Sequence, residues 1–391
     1  MATPDPDAAG DRRCSDGPRR VLFVEPVAHR GGAEVVLLDL ILEMDRRRFL
    51  PYAALLDQGP LAEEARQAGA TVECFPGHRV RNVVATARAV RWLCRLVREW
   101  SIDLVHTQGT KTHLYGGLVR LLTGVPEVWH LYDEPPEPPS WIDRVTTRIP
   151  FDHAIFISEA PRRGFCKLMA VDRSTMVHPG VKPATPVDPG AIEQVLAGLG
   201  LPMAVPLILQ ISRLQAFKGH EHLIRAADLV RRRHPEARVL MVGGTLFGLE
   251  EEYPDRLRRL IVELGLERTV MMAGELPDTA VAALLEHCRC LCYAEVRGPY
   301  SLVILEAMAR GKPVVAARTD GSELIVDHGA TGTLVPPADP GTLGAALVEI
   351  LDRPDLARSL GEAGFSRWQQ KFSVDTMVTR TQEVYSSLLG R

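Results

Sequence analysis

The most informative part of this 391-residue chain is the stretch AEVRGPYSLVILEAMARGKPVVAA, residues Ala294–Ala317. Its pattern predicts a loop, then a helix that carries one acidic residue, Glu306, and then a buried strand, Val314–Ala317. A helix that opens from such a loop offers unpaired backbone N–H groups and the positive end of its dipole. These groups suit a phosphate, and Glu306 lies far enough along the helix to reach a neighbouring hydroxyl. The stretch therefore indicates a nucleotide or nucleotide-sugar site.

The length and composition are typical of a soluble globular protein with two domains. A net charge of −3 gives no reason to expect a nucleic-acid partner. No apolar run approaches the roughly 20 residues that span a bilayer. Residues 1–18 are rich in Asp, Pro, Gly and Arg and have no apolar core of a secretory signal, so we expect a disordered tail. We therefore expect a cytoplasmic protein.

Seven scattered cysteines favour a reducing compartment over a disulfide framework. Cys288, Cys290 and Cys292 alternate with period two, which predicts that a strand carries all three on one face. Zinc sites usually space their ligands C-x2-C, so this spacing is weak support for a metal site. We interpret the three as buried, small apolar side chains.

Apolar runs alternate with helical patterns throughout, which predicts an α/β fold with parallel sheets and crossover helices. A proline-rich segment, Pro179–Pro206, separates two similar halves. Ligands of such sheets bind at the carboxyl ends of the strands. The predicted strands are Val21–Glu25, Tyr52–Leu56, Leu104–His106, Glu127–Leu131 and Ala154–Ser158 in the first half, and Leu207–Ser212, Val239–Val242, Thr269–Ala273, Cys290–Ala294 and Pro313–Ala316 in the second.

Residues 298–315 resemble the donor-binding segment of retaining glycosyltransferase family 4, which reads roughly E-G-F-G-L-V-L-L-E-A-M-A-x-G-x-P-V-V. The resemblance implies a GT-B fold, in which two Rossmann-like parallel-sheet domains face an interdomain cleft. We therefore expect an N-terminal acceptor-binding domain over residues 19–183, a linker over 184–205 and a donor-binding domain over 206–372. The resemblance also implies that a helix over 373–391 crosses back to the N-terminal domain.

Three further segments carry candidate donor-binding residues. Gly31 and Gly32 open a predicted helix and resemble the family's GGAE loop, which lies beside the donor diphosphate and the acceptor. Arg213 and Lys218 follow a strand and can converge on one polyanion, as the matching Arg and Lys of the family do. Gly243 follows another strand and is expected near the nucleoside.

The resemblance implies that a glycosyl group moves from a nucleoside-diphosphate sugar to a hydroxyl acceptor with retention of configuration. The commonest donor in the family is a UDP-sugar, here a UDP-hexose or UDP-N-acetylhexosamine. Glycosyltransferases of the GT-A type hold a divalent metal ion with an Asp-x-Asp triplet. Here such a triplet, Asp5-Pro6-Asp7, lies in the predicted tail, so we expect neither a metal nor another cofactor. Arg213, Lys218 and the N–H groups around Ser301, Leu302 and Val303 would then stabilise the departing diphosphate, while Glu306 holds the ribose.

The N-terminal half contains fewer motifs that match the family. Related enzymes place a histidine near the donor sugar, and His130 is the candidate for that catalytic role. His113, Asp133 and Glu134 are possible acceptor contacts, although a structural role remains open for each. The acceptor itself, whether a small molecule, a glycan or a lipid-linked sugar, is left open. A basic amphipathic helix over Ala87–Trp100 is compatible with a membrane surface, but a solvated face over a core is favoured.

The family's first glutamate falls on Gly298, which has no side chain to contact the donor hexose. Glu295 is the neighbour that can substitute for it; otherwise backbone groups hold the sugar, or transfer activity has been lost. The alternatives to a transferase are a nucleotide-sugar-binding protein without transfer activity and a phosphorylase or epimerase on the same fold.

Overall fold

The computed structural model describes residues 17–27, 31–76, 80–245, 250–298 and 300–390. Most of the predicted tail, the Asp5-Pro6-Asp7 triplet and Pro299 lie outside the described residues. The chain divides into two compact units. The first comprises Met1–Trp129, Val145–His153 and Tyr385–Arg391, and the second comprises His130–Arg144 and Ala154–Val384.

The first sheet has seven strands in the order β3-β2-β1-β4-β5-β6-β7. Every pair in it whose register is described runs parallel. The strands are β1 (Arg19–Glu25), β2 (Phe49–Leu55), β3 (Thr71–Cys74), β4 (Leu104–Gln108), β5 (Glu127–Leu131), β6 (His153–Phe156) and β7 (Ser174–Met176). The helices between and after them are α1 (Gly32–Glu43), α2 (Pro60–Gln67), α3 (Val83–Glu99), α4 (Thr110–Thr123), α5 (Trp141–Thr146), α6 (Glu159–Cys166) and α7 (Pro189–Gly198).

The second sheet has six parallel strands in the order β10-β9-β8-β11-β12-β13. They are β8 (Leu207–Ile211), β9 (Arg238–Val242), β10 (Val270–Gly274), β11 (Cys290–Tyr293), β12 (Val314–Ala317) and β13 (Thr333–Val335). The helices are α8 (His220–Arg233), α9 (Tyr253–Glu263), α10 (Asp278–His287), α11 (Leu302–Met308), α12 (Asp320–Ile325), α13 (Pro340–Asp352), α14 (Pro354–Lys371) and α15 (Val374–Leu389). Among the described residues, no helix combines the length and the hydropathy of a membrane-spanning segment.

Both faces of the second sheet are covered by helices, which explains its continuous apolar strands. Along β8, Leu207 and Leu209 belong to one core cluster, whereas Ile208 belongs to the other. This alternation follows from the period of two in a strand. The apolar runs that predicted the strands are therefore buried on both sides, and the ten predicted strands are confirmed to within a few residues.

The predicted helix patterns are also confirmed. Helix α1 buries Val36, Leu37, Leu40 and Ile41, the positions that its spacing predicted. In α3, Ala89, Leu93 and Leu96 are buried. The four arginines on the opposite face of α3, at positions 88, 91, 95 and 98, are exposed. Arg95 forms ion pairs with Glu73 and Glu99, at 2.5 and 2.9 Å. This arrangement fits the favoured interpretation, a solvated face over a core.

Two sequence-based expectations need correction. Strands β3, β7 and β13 were not predicted, because each is only three or four residues long and carries polar residues.

The prediction that one strand face carries Cys288, Cys290 and Cys292 is wrong for Cys288, since β11 begins only at Cys290. Cys290 and Cys292 share one core cluster, and Cys288 packs in the other. All three side chains are buried, as the apolar interpretation predicted.

Helix α14 packs directly on the backbone that ends α11, and Gly361 permits this contact. A Cβ at Gly361 would lie 2.0 Å from the carbonyl oxygen of Gly311. We expect Gly361→Ala to destabilise the protein by about 2–3 kcal/mol, because backbone cannot move aside as a flexible side chain does. The change would appear as a lower Tm in differential scanning calorimetry.

Gly198→Ala is the matched control, since this exposed helical glycine has nothing within 4 Å of its Cβ position. Alanine is the better helix former by roughly 1 kcal/mol, so the control should be neutral or slightly stabilising. Equal Tm values for the two variants would contradict the backbone contact.

Candidate functional site

The loop that follows β8 carries the two candidate cations. It runs through Ser212 and Arg213 into a 3-10 turn, Ala216–Lys218, and then through Gly219 into α8. Gly219 has φ +73°, which favours glycine, and a Cβ there would lie 1.9 Å from the carbonyl oxygen of Ala294. This loop is therefore pressed against the end of β11.

A backbone hydrogen bond and an ion pair join the same two segments. The N–H of Val296 donates to the carbonyl of Phe217 at 2.8 Å. One residue further, Lys218 Nζ lies 2.7 Å from Glu295 Oε2, and both side chains are largely buried, with 18% and 3% exposed. Lys218 Nζ also lies 4.8 Å from the ring centroid of Phe217. The hydrogen bond between Val296 and Phe217 thus holds Glu295 beside Lys218.

The Glu295 carboxylate fills the space beside Gly298. A Cβ at Gly298 would lie 2.4 Å from Glu295 Oε1 and 3.3 Å from the hydroxyl of Tyr293. The Tyr293 hydroxyl hydrogen-bonds to Glu295 and to Ser301. Burial raises the pKa of Tyr293 well above its usual value, and the charge of Glu295 raises it further, so this hydroxyl stays protonated. Lys218, Glu295, Gly298 and Ser301 are therefore brought together around Tyr293.

Arg213 has a different environment from Lys218. Its side chain is exposed, and among the described residues no carboxylate forms an ion pair with it. The neighbouring residue Ser212 is held by a hydrogen bond, because Ser212 Oγ lies 3.1 Å from Nε2 of His220. Burial lowers the pKa of His220 to about 4, so this histidine is neutral at pH 7 and supports the loop without adding charge.

The remaining donor candidates border these loops. A Cβ at Gly243 would lie 2.1 Å from the carbonyl oxygen of Ser212, so this glycine packs against the Arg213 loop. Ser301 is the N-cap of α11 and is buried, and its side chain makes no capping hydrogen bond. Leu302, Val303 and the partly buried Glu306 lie in α11, as the sequence predicted. The carbonyl of Gly298 accepts a hydrogen bond from the N–H of Gly321, at 3.1 Å.

The other candidates lie elsewhere in the chain. Gly31 is the N-cap of α1, and Gly32 is the first residue of that helix. The side chain of Glu34, in the first turn, reaches back to Gly31, whose Cβ position lies 2.6 Å from Glu34 Oε2. His130 is buried in β5, where its ring stacks on Tyr132 with centroids 4.5 Å apart.

The possible acceptor contacts differ in exposure. His113 is buried in α4, stacked on Trp129 and hydrogen-bonded to Thr107. Asp133 and Glu134 are exposed. Roles for these three residues in acceptor binding stay predictions.

Tyr293 is the site residue that the sequence reasoning missed. The signal for it was present, because Tyr293 and Glu295 continue the period of two at the end of β11. Among the described residues, no three His, Cys, Asp or Glu side chains are arranged so that they could hold a metal ion.

Comparison with known proteins gives the family of the chain. Residues 192–367 match the family model for glycosyl transferases group 1, and residues 30–185 match the model for glycosyltransferase family 4. The D-inositol 3-phosphate glycosyltransferase of Corynebacterium efficiens is 29% identical over 306 residues, which cover 76% of this chain and 68% of that protein. The enzyme of the same name from Streptomyces scabiei is 26% identical over 355 residues, which cover 87% and 76%.

A solved structure is similar over almost the whole chain. HepE of Anabaena in complex with UDP superposes with a TM-score of 0.83 at 25% identity, covering 94% of this chain and 100% of that chain. Its complex with UDP-glucose superposes with a TM-score of 0.80. From the two family models, these relatives and the two parallel sheets, we conclude that the chain belongs to glycosyltransferase family 4 and is a glycosyltransferase of the GT-B fold.

Proposed function

We propose that this enzyme transfers a hexose or N-acetylhexosamine from a UDP-sugar to a hydroxyl acceptor, with retention of configuration and without a metal ion. The UDP and UDP-glucose complexes of HepE support the choice of donor. The hydroxyl acceptor is supported by the relatives, which are named D-inositol 3-phosphate glycosyltransferases.

The observation that carries the proposal is the pair of cations on one loop after β8. Departure of the sugar leaves negative charge on the diphosphate, and fixed positive groups lower the energy of that state. Lys218 is held in place by Glu295 and Phe217, so little reorganisation is needed when the charge develops. Arg213 is exposed, and its planar guanidinium can bind two phosphate oxygens at once. The N–H groups at the start of α11 would add to this field.

We infer that Glu295 takes the part of the family's first glutamate. Its carboxylate already fills the space that a side chain at position 298 would enter. A carboxylate there can accept hydrogen bonds from hydroxyls of the donor hexose, while its second oxygen stays on Lys218. The sugar and the diphosphate would then be held by one buried ion pair.

Glu306 and His130 complete the proposed donor site. Glu306 lies one turn inside α11, where a carboxylate can hold the ribose hydroxyls beside a diphosphate at the helix start. His130 remains the candidate for a contact with the donor sugar. Its ring position is fixed by stacking on Tyr132.

A nucleotide-sugar-binding protein without transfer activity is the second candidate. Gly298 favours it, because the sequence lacks a glutamate at the family's position. Tight UDP binding without any glycosylated product, for a panel of sugar and inositol acceptors, would support this candidate over the transferase.

Removal of either cation should slow the chemical step. We expect Arg213→Ala and Lys218→Ala each to lower kcat by on the order of 10²–10³-fold, because each removes a preorganised positive group. Donor hydrolysis and transfer measured by UDP release would report the change. Arg225→Ala on the exposed face of α8 is the control and should keep wild-type turnover. Turnover within threefold of wild type in both site variants would rule out the assignment.

Replacing the Glu295 carboxylate by an amide should separate diphosphate binding from sugar transfer. We expect Glu295→Gln to lower kcat/KM for the UDP-sugar by on the order of tenfold or more, since it weakens charge-assisted hydrogen bonds. The affinity for UDP itself should stay equal or rise, because Lys218 loses a competing carboxylate. Isothermal calorimetry with UDP and steady-state kinetics would measure the two effects.

A double variant provides the control for this carboxylate. Gly298→Glu combined with Glu295→Ala returns the acid to the family's position and should recover activity relative to Glu295→Ala alone. If Glu295→Gln left kcat/KM unchanged, the proposed sugar contact would be wrong.

Loss of Glu306 should act on the nucleoside. We expect Glu306→Ala to weaken UDP binding by about 10–100-fold in calorimetry, the usual effect of losing hydrogen bonds to a charged group. Binding of inorganic pyrophosphate, which has no ribose, should change little. Equal UDP affinity in the variant and the wild type would exclude the ribose contact.

A further inference from the structure

Two buried polar side chains end neighbouring strands at the carboxyl edge of the first sheet. Glu25 ends β1 and Gln108 ends β4, and they are 2% and 3% exposed. The register pairs Val24 with Thr107, so the next residues in line are Glu25 and Gln108. Beyond them the strands are still adjacent, since Pro26 Cγ lies 3.6 Å from the Cβ position of Gly109.

The two side chains point to the same face of the sheet. Paired residues of parallel strands share a face, and residues two apart along a strand share it too. Phe23 and His106, two residues earlier on the same strands, have ring centroids 5.1 Å apart. Glu25 and Gln108 therefore lie side by side.

Three polar atoms of this pair lack a hydrogen-bond partner within the described part of the chain. They are Oε1 and Nε2 of Gln108 and Oε2 of Glu25. A buried polar group left unpaired costs about 1–3 kcal/mol, so native proteins contain few of them. In the same strand, His106 Nδ1 lies 2.6 Å from the hydroxyl of Tyr385. The unpaired atoms of Glu25 and Gln108 lie at the edge where ligands of parallel sheets bind.

The charges around the pair select the kind of ligand. Burial raises the pKa of Glu25 well above its usual value, the nearby Glu34 raises it further, and the N–H of Val27 opposes the rise. Glu34 stands in the first turn of α1, with Oε2 2.6 Å from the Cβ position of Gly31. The charge of Glu34 disfavours an anion here, whereas hydroxyls can donate to a carboxyl and bond to both amide atoms of a glutamine.

We propose that Glu25 and Gln108 bind two neighbouring hydroxyls of an uncharged sugar or cyclitol ring. That this ring belongs to the acceptor of the transfer rests on the proposed function. A phosphate of the acceptor would lie away from this pair, because the negative charge of Glu34 disfavours a second anion there. Gln108 supplies one donor and one acceptor, and Glu25 supplies the acceptor for the second hydroxyl.

The test compares wild type with Gln108→Met, which keeps the length of the side chain and removes its polar atoms. Without ligand, the variant should melt about 2 °C or more above wild type, because two unpaired buried atoms are lost. myo-Inositol or D-glucose at about 100 mM should raise the Tm of wild type and not that of Gln108→Met. Gln67→Met, at an exposed position of α2, is the control and should keep the wild-type response.

A second variant, Glu25→Gln, tests the role of the carboxyl group. Glu25→Gln keeps the shape and should also lose most of the response to myo-inositol or D-glucose. The proposal would be overturned if Gln108→Met melted below wild type or failed to fold, since Gln108 would then be structural. It would equally be overturned if neither polyol shifted wild type, or if both shifted wild type and Gln108→Met alike.

These measurements use no nucleotide sugar, so they separate the two proposals. UDP affinity of Gln108→Met should match that of wild type in calorimetry. If the polyol response were present and no donor were ever turned over, the hydroxyl site would stand and the proposed transfer would fail.

Discussion

The contact between Gly219 and the carbonyl oxygen of Ala294 determines the geometry of the proposed donor site. At this position only a hydrogen atom fits, and the positive φ independently favours glycine. Because the two loops touch there, Lys218 and Glu295 reach each other although they are 77 residues apart in sequence. A larger residue at 219 would separate the loops, and the buried ion pair would lose its geometry.

In the proposed site, that ion pair takes the place of a glutamate at position 298. Burying a charge alone is unfavourable, but a partner at 2.7 Å and a hydrogen-bonding tyrosine offset much of the penalty. The Glu295 carboxylate comes from three residues earlier in the loop and lies beside Gly298. In this account, one buried pair gives the site a cation for the diphosphate and an acceptor for the sugar.

Much of the architecture could be predicted because apolar periodicity reflects burial. The runs around Leu207–Ile211 and Val314–Ala317 are buried on both faces, so their sequences predict strands. Strand β7, Ser174–Met176, could not be predicted, because its three half-buried residues carry no pattern. The residue types of Arg213, Lys218 and Glu306 predicted the proposed donor site. The pairing of Lys218 with Glu295, and of Glu25 with Gln108, depends on register and backbone contact, which one sequence does not display.

If fixed cations on the loop after β8 receive the diphosphate, calorimetry with uridine and with UDP should show it. UDP should bind wild type at least about 100-fold tighter than uridine, because charge-assisted hydrogen bonds of about 1.5–3 kcal/mol each form to its phosphates. In Lys218→Ala the ratio should fall by on the order of tenfold or more, with the uridine affinity unchanged. The same ratio in wild type and Lys218→Ala would contradict the account.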